Sequence, residues 1–463
     1  MARRKKKEEL TLEEKLERAL VPVEEQPYEV PENWCWTYLK DVAQWGSGGT
    51  PSRKNPAFYE GNILWVKTGE LQEDYIYDTE EKISKEAIQK SSAKIFPVGT
   101  VLIAMYGATI GKTAILGVKA ATNQACACAV CNDSLYNKYL FYYLRFQKDS
   151  FIKQGKGGAQ PNISQDIIKK NYIPLPPKVE QQRIVEQIES LFAKLDEAKE
   201  KVQEVIAQHG LRITAILHKA FLGDLSFEWR TMHGMMKKNW EVKRIKDVCK
   251  PRTGYAFDSK KFQNHGCQIV RMGNLYGGVL DLSRSPVFIS EDELDEKMIE
   301  RAKIKHGDIL ITLTGTKYKR DYGYAVCIEN PENLYVNQRI LCLTPNENIN
   351  RDYLLYYLQS NAFRDIFFSN ETGGVNQGNV SSKFVENIEI QIPSIEEQRV
   401  IVTELNNMLL KEAQTAELAG CVLQRIDLMK KSILAKAFRG ELGTNNPDEE
   451  SAIELLKTII AET

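Results

Sequence analysis

A chain of 463 residues is long enough for two to four domains, and 43% apolar with 27% charged residues is an ordinary globular composition. No apolar run approaches the roughly 20 residues of a membrane span, the Met-Ala-Arg-Arg-Lys start lacks a signal peptide's apolar core, and nine scattered cysteines fit a reducing, cytoplasmic setting better than a disulfide framework. Lys and Arg balance Asp and Glu at 62 each, so the net charge of zero leaves nucleic acid neither indicated nor excluded, because a local basic face matters more than the total.

Residues 1–29 hold a basic run at 3–7, read as a solvated tail, then a short helical pattern at 8–21 stopped by Pro22 and a Pro/Glu-rich connector. Asn33-Trp34 leads into a first globular domain, 30–177, with a strand expected at 100–106 and a helix at 136–147. A long helical pattern fills 178–225, and a Met-rich connector, 226–238, follows. Asn239-Trp240 opens a second globular domain, 239–393. A second long helix takes 394–442, and Pro447 marks the start of a last short helix within 443–463, since proline is tolerated in a first helical turn.

The long helices occur as a pair. EQQR at 180–183 and HKAFLGDL at 218–225 bound the first; EEQR at 396–399 and AKAFRGEL at 435–442 bound the second. In the first, Ile184, Ile188, Leu191, Leu195, Ala198, Val202 and Val205 step by four and three; in the second, Ile401, Leu405, Met408, Ala419, Val422, Ile426, Met429 and Ile433 lie on one heptad frame, which polar Glu412 and Thr415 fill mid-way. That spacing keeps apolar side chains on one stripe, the seam of a coiled coil. About 43 residues at ~1.5 Å each make a rod of roughly 65 Å, and Gly223 and Gly440 suit helix C-termini. A chain that leaves domain one on the first helix can pair the second only by running back. The expected fold is therefore a duplicated α/β (α+β) molecule, pseudo-twofold, with antiparallel long helices and a head at either end of the rod.

The globular domains are diverged copies too. Lys67, Gly69 and Leu71 match Arg271, Gly273 and Leu275; Asn123-Gln124 matches Asn337-Gln338; YLFYYL at 139–144 matches YLLYYL at 353–358; Gly157-Gly158 and Asn162-Ile163-Ser164 return as Gly373-Gly374 and Asn379-Val380-Ser381. The loops between the matched blocks diverge, 46–56 against 250–262 and 107–112 against 315–323. A shared frame with different loops suits two readers of different targets.

Catalytic motifs are not visible. GATIGKT at 107–113 is one residue short of a phosphate-binding loop and has no counterpart at 315–323, so it reads as a turn. Cys126, Cys128 and Cys131 lack a second C-x-x-C knuckle, and Cys128 aligns with Cys342 in another apolar stretch, so these are strand cysteines rather than zinc ligands. The five histidines show no metal-ligand spacing. The loops are instead rich in side chains that read bases and phosphates: Arg and Lys for guanine and phosphate, Asn and Gln for adenine. Candidates are Arg53, Lys54, Lys67, Lys112, Gln160 and Asn162 in the first domain. In the second they are Arg252, Lys260, Lys261, Arg271, Lys317, Tyr318, Lys319, Arg320, Asn376, Gln377 and Asn379. A coiled-coil adaptor with protein-binding heads, or an enzyme using Lys112 on phosphate, stays open beside this reading.

Two variable domains, each introduced by N-W and followed by a long helix with an E-Q-R start and a K-A-F-x-G-x-L end, resemble the specificity subunit of type I restriction–modification enzymes. LVPVEEQPYEVPENW, GGTPSRKNPAFYEG and GGAQPNIS carry the same resemblance. It implies a non-catalytic, DNA-binding subunit in which each domain reads half of a split sequence in double-stranded DNA. The helices would separate the halves and dock two methyltransferase subunits, with two restriction–translocase subunits joining. It also implies that this subunit binds no cofactor of its own, S-adenosylmethionine, ATP and Mg belonging to the partners.

Overall fold

The computed structural model describes residues 11–155, 162–235, 238–374 and 376–462. Gln160, Gly157-Gly158 and the basic run at 3–7 lie outside them. The chain divides into two compact units, residues 1–202 with 422–463 and residues 203–421.

The strands of the first unit are β1 (Cys35–Tyr38), β2 (Gln44–Ser47), β3 (Ile63–Val66), β4 (Tyr75–Ile76), β5 (Lys82–Ile83), β6 (Ile95–Phe96), β7 (Val101–Ala104), β8 (Thr113–Leu116), β9 (Ala120–Thr122), β10 (Cys126–Val130) and β11 (Tyr172–Leu175). They pair as β1-β11, β2-β10-β7-β8-β4 and β5-β3-β9-β6. Those of the second are β12 (Glu241–Arg244), β13 (Cys249–Thr253), β14 (Cys267–Val270), β15 (Phe288–Ile289), β16 (Ile309–Thr312), β17 (Thr314–Gly315), β18 (Ala325–Cys327), β19 (Leu334–Val336), β20 (Ile340–Pro345), β21 (Gly378–Asn379) and β22 (Glu389–Ile392). Their pairing, β12-β22, β13-β20-β16-β18 and β15-β14-β19, follows the first unit's order without counterparts of the edge strands β4 and β6, and the pair β17-β21 stands where the first unit has the single bridge between Tyr106 and Asn162.

The duplication holds in register. Cys128 lies opposite Leu102 and Gly46, and Cys342 opposite Leu310 and Arg252. Both cysteines are fully buried strand residues. Burial pushes the Cys128 thiol up to about 12. β7 and β16 read as continuous apolar runs because both faces are covered: Val101 and Ile103 feed one core while Leu102 and Ala104 feed another, and Ile309 and Ile311 are likewise separated from Leu310. Strand ends also share a steric demand. A Cβ on Gly48 would stand 1.8 Å from the Thr122 carbonyl oxygen, and one on Gly254 would stand 2.2 Å from that of Asn337, so both places require glycine.

The repeated helix motifs have matching roles. Trp34 Nε1 donates to Glu180 at 2.7 Å, and Trp240 Nε1 to Glu397 at 3.1 Å. Gln181 accepts from the Tyr136 backbone N–H at 2.8 Å and Gln398 from that of Asn350 at 2.6 Å, which ties each long helix to the start of the Y-L-x-Y-Y-L helix. The K-A-F phenylalanines close the same cores from the other long helix. Phe438 stands 5.4 Å from Tyr139 and 5.0 Å from Tyr143, and Phe221 stands 5.4 Å from Tyr353 and 5.5 Å from Tyr357. Within each unit, then, the end of one long helix lies beside the beginning of the other: the pair is antiparallel. Ion pairs agree, since Asp196 meets Lys430 and Lys199 meets Asp427 in the first unit, and Arg212 meets Glu412 in the second.

Several boundaries differ from the sequence expectation. The first long helix is two, Lys178–Ala207 and His209–Leu222, ending on Gly223 in the left-handed region as expected. The second is continuous, Ile395–Ala437. The connector 226–238 contains a helix, Phe227–Met232, and the last helix is Ala452–Glu462, starting five residues after Pro447 rather than around it. The seam also shifts. Ile184, Ile188, Ile401, Leu405 and Ile426 are buried and Leu191, Leu195, Val202 and Met408 half-buried, but Val205, Val422 and Met429 lie exposed. The covered positions of the second helix run through Leu409, Ala416, Leu423 and Lys430. Apolar residues stand side by side at 408–409 and 422–423, so periodicity alone could not choose the flank. Lys430 escaped because its stem covers apolar surface while its ammonium sits 5.0 Å from the Phe192 ring centre and pairs with Asp196.

Candidate nucleic-acid interface

The expected readers divide into tethered and free side chains. In the first unit Arg53 stacks 4.0 Å over the Tyr59 ring and pairs with Glu81 at 2.7 Å, while Lys67 reaches Glu80 at 2.9 Å and Glu81 at 3.0 Å. Hydrogen bonds to Glu80 and then Glu81 raise the Lys67 pKa above its ordinary value. This is a compensated cluster that fixes one loop to its neighbour. Lys54 is exposed and Lys112 half-buried after the turn Gly107–Thr109, and neither has an ion pair among the described residues. Asn162 bridges to Tyr106, the exposed residue near the end of β7.

In the second unit Arg252 is inside the fold, a correction to its expected place on a reading surface. Its guanidinium donates to Asp308 at 2.6 Å and to the Lys303 carbonyl at 2.8 Å, with the Asp308 side chain wholly covered. The sequence placed it in a loop, whereas it lies on β13 opposite Cys342, where the first unit has Gly46. Lys261 pairs with Glu293, and Arg271 donates to the Ser285 carbonyl at 2.6 Å; Lys260 is exposed.

The loop at 315–323 is braced from beneath. The Arg364 guanidinium donates to the carbonyls of Arg320, Tyr322 and Gly323 at 2.7, 3.1 and 3.0 Å. Asp321 accepts from the Thr316 N–H at 2.8 Å. Tyr318 and Arg320 take φ of +66° and +50°, a conformation such bracing can hold in side-chain-bearing residues. Of the four consecutive candidates, Lys317 is tethered to the Gly373 carbonyl and Arg320 to Asp365, while Tyr318 and Lys319 project.

Beside this loop lies a cleft of about 320 Å³, lined by Leu313, Thr314, Gln338, Arg339, Gly373, Gly374, Gln377 and Asn379. The antiparallel pair β17-β21 sets its floor: Thr314 stands opposite Asn379, whose side chain accepts from the Thr314 hydroxyl at 3.0 Å. Gln377 and Asn379 are candidate readers that line this cleft, and Asn376 is their exposed neighbour. Gln338 belongs to the repeated Asn-Gln pair, and Arg339, which directly follows it, carries no signal in the sequence that marks it as a reader. The cleft offers a guanidinium, amides that both donate and accept, and no carboxylate, a lining suited to base edges. Among the described residues no group of three or more His, Cys, Asp or Glu is placed to hold a metal ion, and no helix is long and apolar enough to cross a membrane.

Fold and site together define a duplicated protein, each unit a domain of mixed sheets packed against antiparallel long helices. The family model for the type I restriction modification DNA specificity domain matches twice, at residues 31–208 and 237–418, and the chain belongs to that family as a specificity subunit, a non-catalytic component of the restriction–modification complex. It is 30% identical to the MjaIX specificity subunit of Methanocaldococcus jannaschii over 58% of this chain and 64% of that one. It is 25% identical to the EcoKI specificity subunit of Escherichia coli strain K12 over 94% and 96%. Among solved structures it resembles the HsdS subunit of Thermoanaerobacter tengcongensis, with a TM-score of 0.60 at 20% identity over 90% of this chain and all of that one.

Proposed function

We propose that each unit reads one half of a split sequence in double-stranded DNA, and that the long helices dock two methyltransferase subunits, which two restriction–translocase subunits join. S-adenosylmethionine, ATP and Mg belong to those partners, and this chain contributes address rather than chemistry in the cytosol. The observation that carries the reading is one frame with two loop sets: strand order and register repeat, while the surface at 315–323 and its cleft belong to the second unit's own sequence. Phosphate contacts would position each unit and a few side chains would specify bases. Mapping methylated adenines in DNA from cells carrying this chain with its partner subunits tests it. A motif of two defined halves around an unspecified gap is expected; one continuous motif, or methylation without sequence preference, overturns it.

A further inference from the structure

The repeated Asn-Gln pair marks a place where the two units have the same backbone and opposite side chains. In the first unit the Asn123 N–H donates to the Val66 carbonyl at 2.9 Å, its side-chain oxygen accepts from the Ala125 N–H at 3.2 Å, and the Ala125 carbonyl accepts from the Met105 N–H at 2.9 Å. In the second, the Asn337 N–H donates to the Val270 carbonyl at 3.0 Å, its side-chain oxygen accepts from the Arg339 N–H at 3.3 Å, and the Arg339 carbonyl accepts from the Leu313 N–H at 2.9 Å. Bond for bond the turn is conserved between the copies, so the frame holds the third position rigidly and leaves its side chain free to differ. Ala125 is buried; Arg339 is exposed at the edge of the cleft.

Other arginines of the second unit have work inside the protein. Arg252, Arg271, Arg320 and Arg364 are spent on Asp308, the Ser285 carbonyl, Asp365 and the loop carbonyls. Arg339 has no ion pair or side-chain hydrogen bond among the described residues. An arginine whose backbone is fixed by that turn, and which lines the cleft with Gln338, Gln377 and Asn379, presents a planar donor fork with no partner among the described residues. Two parallel N–H groups match the O6 and N7 acceptors of guanine in the major groove, and lysine offers only a flexible point charge in place of that fixed planar fork.

We propose that residue 339 is a specificity-determining position and that Arg339 reads a guanine in the half-site of the second unit. This rests on the DNA-reading function proposed above. The test uses the full chain assembled with its methyltransferase subunits, on a duplex library randomised across the target. Arg339→Ala and Arg339→Lys should each relax the preference for one G·C pair roughly ten- to hundredfold. Every other position, including the whole of the other half-site, should stay sharp, and thermal unfolding should match the parent's. A motif left unchanged, a uniform weakening on all sequences as a phosphate contact would give, or full preference retained by Arg339→Lys overturns the assignment. If the parent complex shows no split motif, the proposed function fails instead.

Discussion

Glu180 and Glu397 occupy equivalent places at the starts of the two long helices, both are buried, and each accepts from the indole of its N-W tryptophan. They are completed differently. Glu180 takes its remaining donors from neutral groups, the Thr444 hydroxyl at 3.3 Å and the Asn445 amide at 2.9 Å, while the cation nearby, Arg183, pairs outward with Glu449. Glu397 takes the Ser226 hydroxyl and the Arg230 guanidinium, each at 2.8 Å, with Arg230 itself buried. A buried carboxylate must be supplied with donors, and that requirement is what the duplication preserves. The residues that meet it are free to change, as they are where Gly46 and Thr100 stand in one unit and the ion pair of Arg252 and Asp308 in the other.

The phenylalanine closures should separate the units most strongly. Phe438 is fully buried among Tyr139, Tyr143 and Phe146, whereas Phe221 is only partly covered between Tyr353 and Tyr357. Phe438→Ala should cost about 4 kcal/mol by chemical denaturation, with Phe221→Ala clearly less. Equal costs would show that the closures are equivalent after all.

Arg252→Ala should come next, at about 3 kcal/mol, because it leaves Asp308 buried without its cation. The double change Arg252→Gly with Asp308→Thr installs the first unit's pair and should recover much of that loss. Neither variant should alter which DNA sequence is read. A sharpened or blurred half-site at unchanged stability would return Arg252 to the reading surface.

The duplication, the strand at 101–104, the helix at 137–146 and the antiparallel pairing were legible because each rests on repeated blocks or a long periodic run. The family was legible from the same blocks, because their ordered recurrence carried the resemblance to a specificity subunit without any catalytic motif. What stayed hidden depended on contacts between distant residues. Arg252 and Arg339 look alike in sequence, both being loop-side arginines, and only the buried Asp308 separates them. The flank of the second seam and the role of Lys430 were lost for the same reason: a lysine stem can fill an apolar position when an aromatic ring and a carboxylate wait at its end.

The projecting loop sharpens the comparison at the level of specificity. Replacing 316–320 with alanine removes Tyr318 and Lys319 from solvent reach and releases the tethers of Lys317 and Arg320. Methylation mapping should show only the second unit's half-site degenerating, with about 1–3 kcal/mol lost at any position whose base contact goes. Blurring of both halves would mean that the units do not read separately.

The smallest expected effect concerns the half-buried clasp of the first unit. Arg183 holds Glu449 through two parallel hydrogen bonds of 2.7 and 2.8 Å and also donates to the Thr444 carbonyl, fastening the segment before the helix Ala452–Glu462. The hydrogen bonds from Arg183 lower the Glu449 carboxyl below its ordinary value, outweighing the opposite effect of burial. A carboxyl with a depressed folded pKa stabilises fully above its unfolded value, about 4.3. That contribution disappears as pH falls through the folded value. Both partners are partly solvated, so the pair is worth under about 1 kcal/mol. Glu449→Gln should therefore raise amide exchange across Ala452–Glu462 slightly at neutral pH, and the gap from the parent should close as pH drops well below 4. In the second unit the cation at Glu397, Arg230, is buried with its carboxylate, so Arg230→Ala should loosen Phe227–Met232 by a larger margin. A Glu449→Gln gap that persists undiminished in acid would assign the clasp to shape rather than charge.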